Sequence, residues 1–103
     1  MKSKFHSIPL AKNLCLDVEG GNCCDNARII PWQCHKGLNQ KFAHNSRKQL
    51  VAKSSGKCVD IRKGRLVQRT CRKKTAKWVK RNKRWYSLKH RNPLEKYVKN
   101  GSK

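Results

Sequence analysis

Apolar residues along this chain come in short runs cut off by turn residues. Arg28-Ile-Ile30, Gln49-Leu-Val-Ala52 and Arg65-Leu-Val-Gln68 are short and rich in aliphatic and β-branched side chains. Gly20-Gly21, Lys36-Gly37 and Ser54-Ser-Gly56 lie between such runs, and runs bounded in this way read as strands joined by turns. No apolar period of about 3.6 residues persists over successive helical turns. The pattern predicts an all-β fold.

The runs also repeat. Lys12-Asn-Leu-Cys-Leu-Asp-Val18 and Ser55-Gly-Lys-Cys-Val-Asp-Ile61 share a core of cysteine, apolar, aspartate, apolar, and the two cysteines are 43 residues apart. After the first core come Ile29-Ile-Pro-Trp-Gln-Cys34 and Asn39-Gln-Lys-Phe42. After the second come Leu66-Val-Gln-Arg-Thr-Cys71 and Thr75-Ala-Lys-Trp78. Each unit therefore runs from a cysteine core through a strand and a second cysteine to a closing aromatic. A fainter third start is visible, because Trp85-Tyr-Ser-Leu88 stands ahead of Glu95 as Phe5-His-Ser-Ile8 stands ahead of Cys15. In that alignment Glu95 replaces the cysteine and Tyr97 the aspartate. A repeat at a fixed pitch is the mark of a fold assembled from equivalent units.

The run Cys-Leu-Asp-Val, Trp-Gln-Cys, Asn-Gln-Lys-Phe resembles the ricin-B-type (R-type) lectin repeat, with Phe42 where the closing Gln-x-Trp element usually has Trp. The resemblance covers residues 5–78 well and 84–98 poorly. It implies a β-trefoil-like domain over residues 1–103, with lobe one at 1–48, lobe two at 49–83, and an incomplete third lobe or basic C-terminal arm at 84–103. It implies disulfides Cys15–Cys34 and Cys58–Cys71. It also implies one sugar site in lobe one, with Asp17 accepting hydroxyls, Trp32 as stacking face, and Asn39 and Gln40 as amide partners; Ile30 stands where a polar Gln is common. In lobe two Asp60 remains, but Arg69 replaces the tryptophan and Thr75-Ala76 the Asn-Gln pair, so no neutral-sugar site is expected there.

Composition shifts the functional emphasis. Among 103 residues, Lys and Arg number 27 against 5 Asp and Glu, a net charge of +22. Useful solubility needs only about 2–8 charges on a small domain, and a larger excess destabilises the compact state unless something anionic neutralises it. The charge is uneven: residues 1–45 carry +3 and residues 46–103 carry +19. The densest segment is Arg72-Lys-Lys-Thr-Ala-Lys-Trp-Val-Lys-Arg-Asn-Lys-Arg84, flanked by Trp85 and Tyr86. Basic groups release counter-ions from phosphates or sulfates, and aromatics stack on bases. Arg69, Arg72, Lys73, Lys74, Lys77, Lys80, Arg81, Lys83 and Arg84 are thus the candidate polyanion-binding set. Trp78 reads rather as the closing core residue of lobe two.

These charges make the leading expectation a non-catalytic module that docks on an anionic polymer (nucleic acid or sulfated glycan) or an acidic protein surface. A virus particle or nucleoprotein assembly, with other subunits present, would suit it. The second expectation is a lectin using the lobe-one site, extending to sulfated glycans; a neutral sugar is the less favoured partner. No nucleophile–base signature appears among the cysteines and His6, His35, His44 and His90. Asp17 and Asp60 occupy equivalent positions of different lobes, which argues against an acid–base pair, so no enzyme is expected. A zinc set of Cys23, Cys24, Cys34 and His35 competes with the disulfide reading, but no Cys-x2-Cys pair supports it, and no cofactor is expected.

No run reaches transmembrane length, and residues 1–14 lack a signal-peptide h-region. That predicts synthesis in a reducing compartment, whereas six cysteines in a short chain suit an oxidising one. A removed leader, giving a secreted protein, or assembly into a particle that later leaves the cell, would reconcile the two.

Overall fold

Each cysteine core forms one arm of an antiparallel hairpin in the computed structural model, which describes residues 4–98. In lobe one, β1 (Leu14–Val18) pairs with β2 (Ile29–Gln33), setting Cys15 opposite Trp32 and Asp17 opposite Ile30. In lobe two, β5 (Cys58–Arg62) pairs with β6 (Arg65–Arg69), setting Cys58 opposite Arg69 and Asp60 opposite Val67. The two hairpins have the same register residue for residue, so the sequence repeat is a structural repeat. Four strands, β3 (Phe42–His44), β4 (Leu50–Ala52), β5 and β6, form one sheet in that order. A further hairpin, β7 (Trp78–Arg81) with β8 (Arg84–Ser87), sets Trp78 opposite Ser87.

The period-2 geometry of strands decides what is buried. Leu16 and Val18 of β1, Ile29 of β2, Val59 of β5 and Leu66 of β6 point into one core with Ile8, Phe42, Leu50 and Trp78. Trp78 is fully buried and its indole N–H donates to the Val59 carbonyl at 3.1 Å. The closing aromatics of the two lobes, Phe42 and Trp78, are therefore core plugs, as expected for Trp78. The implied bridges Cys15–Cys34 and Cys58–Cys71 are both formed, and each stabilises a small fold by about 3 kcal/mol in the chain-entropy model.

The third unit departs from the alignment drawn through Glu95. Leu94–Tyr97 is a 3-10 turn instead of a strand. Pro93 precedes it with φ at −64°, a value its ring imposes, and it has no N–H to give to a sheet. Leu94 and Tyr97, at the spacing that superposes side chains in such a turn, both enter the core. No helix among the described residues is long and apolar enough to cross a membrane.

Candidate functional site

The lobes differ most in the link between the paired strands. In lobe two, Lys63 and Gly64 alone join β5 to β6, with φ at 53° and 76°. Positive φ at both central residues is the type I′ geometry that matches strand twist. In lobe one, residues 19–28 make the connection. It opens with the 3-10 turn Glu19–Gly21, where Gly20 and Gly21 take positive φ, and closes where Arg28 donates two 2.9 Å hydrogen bonds to Glu19. Those bonds hold the Glu19 carboxyl below the usual carboxylate range. The Glu19 N–H also donates to the Arg28 carbonyl.

This longer link forms one wall of a recess of about 320 Å³, lined by Asp17, Glu19, Gly20, Ile30, Trp32, His35 and Asn39. The register explains the assembly. Asp17 and Ile30 face each other across the hairpin, as do Cys15 and Trp32. Directly paired residues share a sheet face, and the diagonal Asp17 to Trp32 spans roughly 7–8 Å. The Cys15–Cys34 bridge ties down the end of β2 immediately after Trp32. Trp32 is 53 % exposed, whereas Trp78 is fully buried.

Opposite the indole, the Asp17 carboxylate is held rigidly. Its Oδ1 accepts the Asn39 amide at 3.1 Å and its Oδ2 accepts the Gln40 amide at 2.8 Å. His35 Nε2 lies 3.6 Å from Oδ2. Burial pushes the Asp17 carboxyl above the ordinary aspartate value, against the opposing pull of Gln40, His35 and Asn39. A carboxylate offers about four lone-pair positions, so acceptor capacity remains toward the recess.

Gln40 does not line the recess. It is fully buried behind Asp17, and its amide also serves the Gln33 carbonyl and the His35 N–H at 2.9 and 2.8 Å. It fixes Asp17 while Asn39 remains at the wall. His35 does line the recess, a place the sequence did not assign it. The Gly37 N–H donates to His35 Nδ1 at 2.8 Å, which leaves the proton of the neutral ring on Nε2, toward Asp17. A Cβ on Gly37 would lie 2.6 Å from His35 Cε1, so this arrangement requires glycine. The signal for it was the His-x-Gly spacing directly after Cys34.

The corresponding region of lobe two is a recess of about 330 Å³ lined by Asp60, Ile61, Arg62, Arg69, Thr70, Arg72, Lys74 and Thr75. Here Asp60 Oδ1 accepts backbone N–H groups, from Ile61 at 2.9 Å and Ala76 at 3.1 Å. Arg69 Nε stands 4.0 Å from Asp60 Oδ2. No aromatic face is present in this wall.

Several side chains of the candidate polyanion set have partners within the chain. Arg69 donates to Asn26 Oδ1 at 2.9 Å, Lys77 Nζ to the Lys73 carbonyl at 2.7 Å, and Arg84 pairs with Glu95 at 3.7 Å. Lys80 lies over the Trp85 ring. Adjacent Lys80 and Arg81 of β7 point to opposite faces. Arg72, Lys73, Lys74, Lys83 and Arg84 lie at exposed positions of the loops and of the strand end. The zinc reading also fails in part, because the Cys34 sulfur is bonded to Cys15.

Residues 5–103 match the family model of the ricin-type beta-trefoil lectin domain. Nothing among curated proteins matches. Among solved structures, the chain is similar to the C-half of an earthworm R-type lectin in complex with GalNAc. That likeness has a TM-score of 0.76 and 23 % identity, over 85 % of this chain and 72 % of that one. It is also similar to the β-trefoil lectin of the Vibrio vulnificus hemolysin/cytolysin with N-acetyl-D-lactosamine bound, with TM-score 0.69, 20 % identity, and 84 % and 66 % of the two chains covered. A mutant earthworm lectin C-terminal domain in complex with 6'-sialyllactose is similar at TM-score 0.70 and 19 % identity, over 86 % and 71 %. At these identities the likeness establishes the fold. The match to a lectin family and these sugar-bound neighbours overturn the leading expectation of docking on an anionic polymer or acidic protein surface in a virus particle or nucleoprotein. Net charge misled because it speaks to solubility and association rather than to fold.

Proposed function

The chain belongs to the ricin-type β-trefoil lectin domain family, and from that membership we propose that it is a non-enzymatic carbohydrate-binding protein working through the lobe-one recess. One observation carries the assignment to lobe one: an exposed indole stands beside a carboxylate whose orientation two amides have fixed. A sugar presents an apolar C–H face and vicinal hydroxyls. Trp32 offers the apolar platform, Asp17 the charged acceptor, which makes stronger hydrogen bonds than a neutral one, and Asn39 a side-chain amide beside it.

The two tethers on Asp17 lower the cost of binding, since the carboxylate is already oriented before a ligand arrives. His35 Nε2–H lies on the same edge and supplies a donor to a hydroxyl or ring oxygen. Galactose-type sugars are the proposed ligand class, in keeping with the GalNAc held by the similar earthworm lectin half. Lobe two, with Arg69 in place of the indole, takes no part in neutral-sugar binding.

The direct test is calorimetric titration of the folded chain with N-acetylgalactosamine and, separately, glucose, at high salt so that charge contributes little. Saturable binding of the galactose-type sugar that Asp17→Ala abolishes supports the assignment. Absence of binding to every galactose-type sugar overturns it.

A further inference from the structure

Four of the six cysteines are spent in bridges, and the remaining two are neighbours in sequence. Cys23 and Cys24 are both exposed, with their sulfurs 3.5 Å apart. They stand in the 19–28 connection but outside the recess, which that connection borders only through Glu19 and Gly20.

The segment that carries them is clamped. Gln68, fully buried in β6, donates through one amide nitrogen to the Asn22 carbonyl at 2.9 Å and the Cys24 carbonyl at 2.8 Å. The Asn22 side chain accepts the Cys24 N–H at 2.9 Å. One step on, Asp25 accepts the Thr70 N–H at 2.7 Å and Asn26 donates to the Gln68 carbonyl at 2.7 Å. The backbone on either side of Cys23 is therefore fixed against lobe two, and both sulfurs are presented to solvent on a rigid mount.

We propose that Cys23 and Cys24 are a reversible dithiol–disulfide couple, a surface site for exchange with low-molecular-weight disulfides of the glutathione class. Any oxidant able to form the two structural bridges also meets these exposed thiols. Their fate differs because adjacent α-carbons are about 3.8 Å apart, short of the roughly 4.4–6.8 Å that disulfides span. Closing the bond makes a small strained ring through the Cys23–Cys24 peptide, against the Gln68 clamp. Strained disulfides are the readily reduced ones, so this couple cycles under conditions in which the structural bridges persist.

The steps balance. The Cys23 thiolate attacks one sulfur of the small disulfide R–S–S–R, whose S–S bond breaks. One thiolate leaves and takes a proton from water, and a mixed disulfide remains on Cys23. The Cys24 thiol then loses its proton to water and attacks the Cys23 sulfur, expelling the second small thiolate. Two protein thiols are oxidised and one small disulfide is reduced to two thiols. While both are reduced, the neighbouring Cys23 sulfur pushes the Cys24 thiol up, by hydrogen bonding and by charge.

The test equilibrates the intact folded protein in glutathione buffers of graded ratio, quenches with an alkylating reagent, and reads intact and peptide masses. The expected result is a wild-type peptide over Cys23 and Cys24 that goes from doubly alkylated to unalkylated and lighter by two hydrogens, with no retained glutathione. Over the same ratios Cys15–Cys34 and Cys58–Cys71 stay closed. Cys23→Ser and Cys24→Ser, both at exposed positions, each stop at a stable glutathione adduct. The proposal is overturned by thiols that stay alkylated at every ratio, by a lasting adduct on the wild type, by a disulfide-linked dimer, or by ring closure that titrates only together with the two structural bridges. None of these outcomes depends on whether the recess binds a sugar.

Discussion

The β1–β2 and β5–β6 hairpins offer a controlled experiment inside one chain. Both place a cysteine and an aspartate at the same register, both are bridged to a later cysteine, and both bury the same alternate side chains. They part company at the sheet face and at the link. Lobe one keeps an exposed tryptophan, an Asn-Gln pair and a ten-residue connection; lobe two has an arginine, a Thr-Ala pair and a two-residue turn. The hydrogen bonds of the aspartates follow from this. Asp17 is tied by side-chain amides and remains on the recess wall, whereas Asp60 is tied by backbone N–H groups and faces Arg69. The hairpin frame tolerates either arrangement, so on the proposed reading binding capacity is decided by what stands on the frame.

The sharpest way to break that contrast is to remove each aspartate in turn. Asp17→Ala is expected to weaken galactose-type sugar binding by about 100-fold or more, since a charged acceptor serving two hydroxyls contributes about 1.5–3 kcal/mol per bond. Asp60→Ala is expected to leave the affinity unchanged in the same calorimetric titration. An equal loss in both variants would mean that the lobes share the task.

Next in size is Gln40. Gln40→Ala strips Asp17 of one tether and leaves the His35 N–H and the Gln33 carbonyl without their partner. The buried Asp17 carboxylate loses its Gln40 donor, and a cost of about 1–3 kcal/mol for a buried group left short of its partner should appear as a lowered midpoint in urea unfolding. Ala76, its counterpart in lobe two, has no side-chain hydrogen bond to lose, so Ala76→Gly should cost less than Gln40→Ala.

Trp32→Ala is expected to weaken sugar binding by about 10-fold, at the roughly 1.5 kcal/mol an aromatic face contributes beyond its buried area, with little change in stability because the indole is half in solvent. Arg69→Ala should not alter neutral-sugar affinity. A binding loss on Arg69→Ala would assign lobe two a direct role.

The smallest effect is in pH. Burial raises the Asp17 carboxyl above its ordinary value of 3.8, so the folded chain holds that proton more tightly than the unfolded one. Stability through this group therefore falls as pH rises from 3.8 through the raised folded value. Sugar binding, which needs the ionised acceptor, runs the other way and is lost on acidification at a pH above 3.8. Asp17→Asn should remove the Asp17 part of both slopes, followed by calorimetry and by unfolding across the acid range.

Much of this was open to sequence reading for a definite reason. The strands were legible as short apolar runs between turns. The trefoil frame and the pairing of the cysteines were implied by the resemblance of the repeated cysteine–aspartate core to the R-type lectin repeat. That core takes the same register in both hairpins. The third unit was harder, since Pro93 diverts the chain into a 3-10 turn that still buries Leu94 and Tyr97. The roles of Asn39 and Gln40 were merged because an amide pair reads alike whether it faces a ligand or the residue behind it. His35 was weighed only as a zinc ligand, because its placement at the recess rests on a local bond to Gly37 that carries no periodic signature. The charge drew attention to the basic half of the molecule, where four of the nine basic residues singled out have partners within the chain.

Lys63 and Gly64 make a two-residue link, and on both sides of it the strands keep the register of their lobe-one counterparts. That turn is in effect an insertion port. A segment of foreign sequence spliced there meets the same flanking geometry that already carries residues 19–28 in lobe one. On the proposed reading, a sugar site in lobe two becomes a matter of transplanting one connection, one aromatic side chain and the amide pair that orients the aspartate.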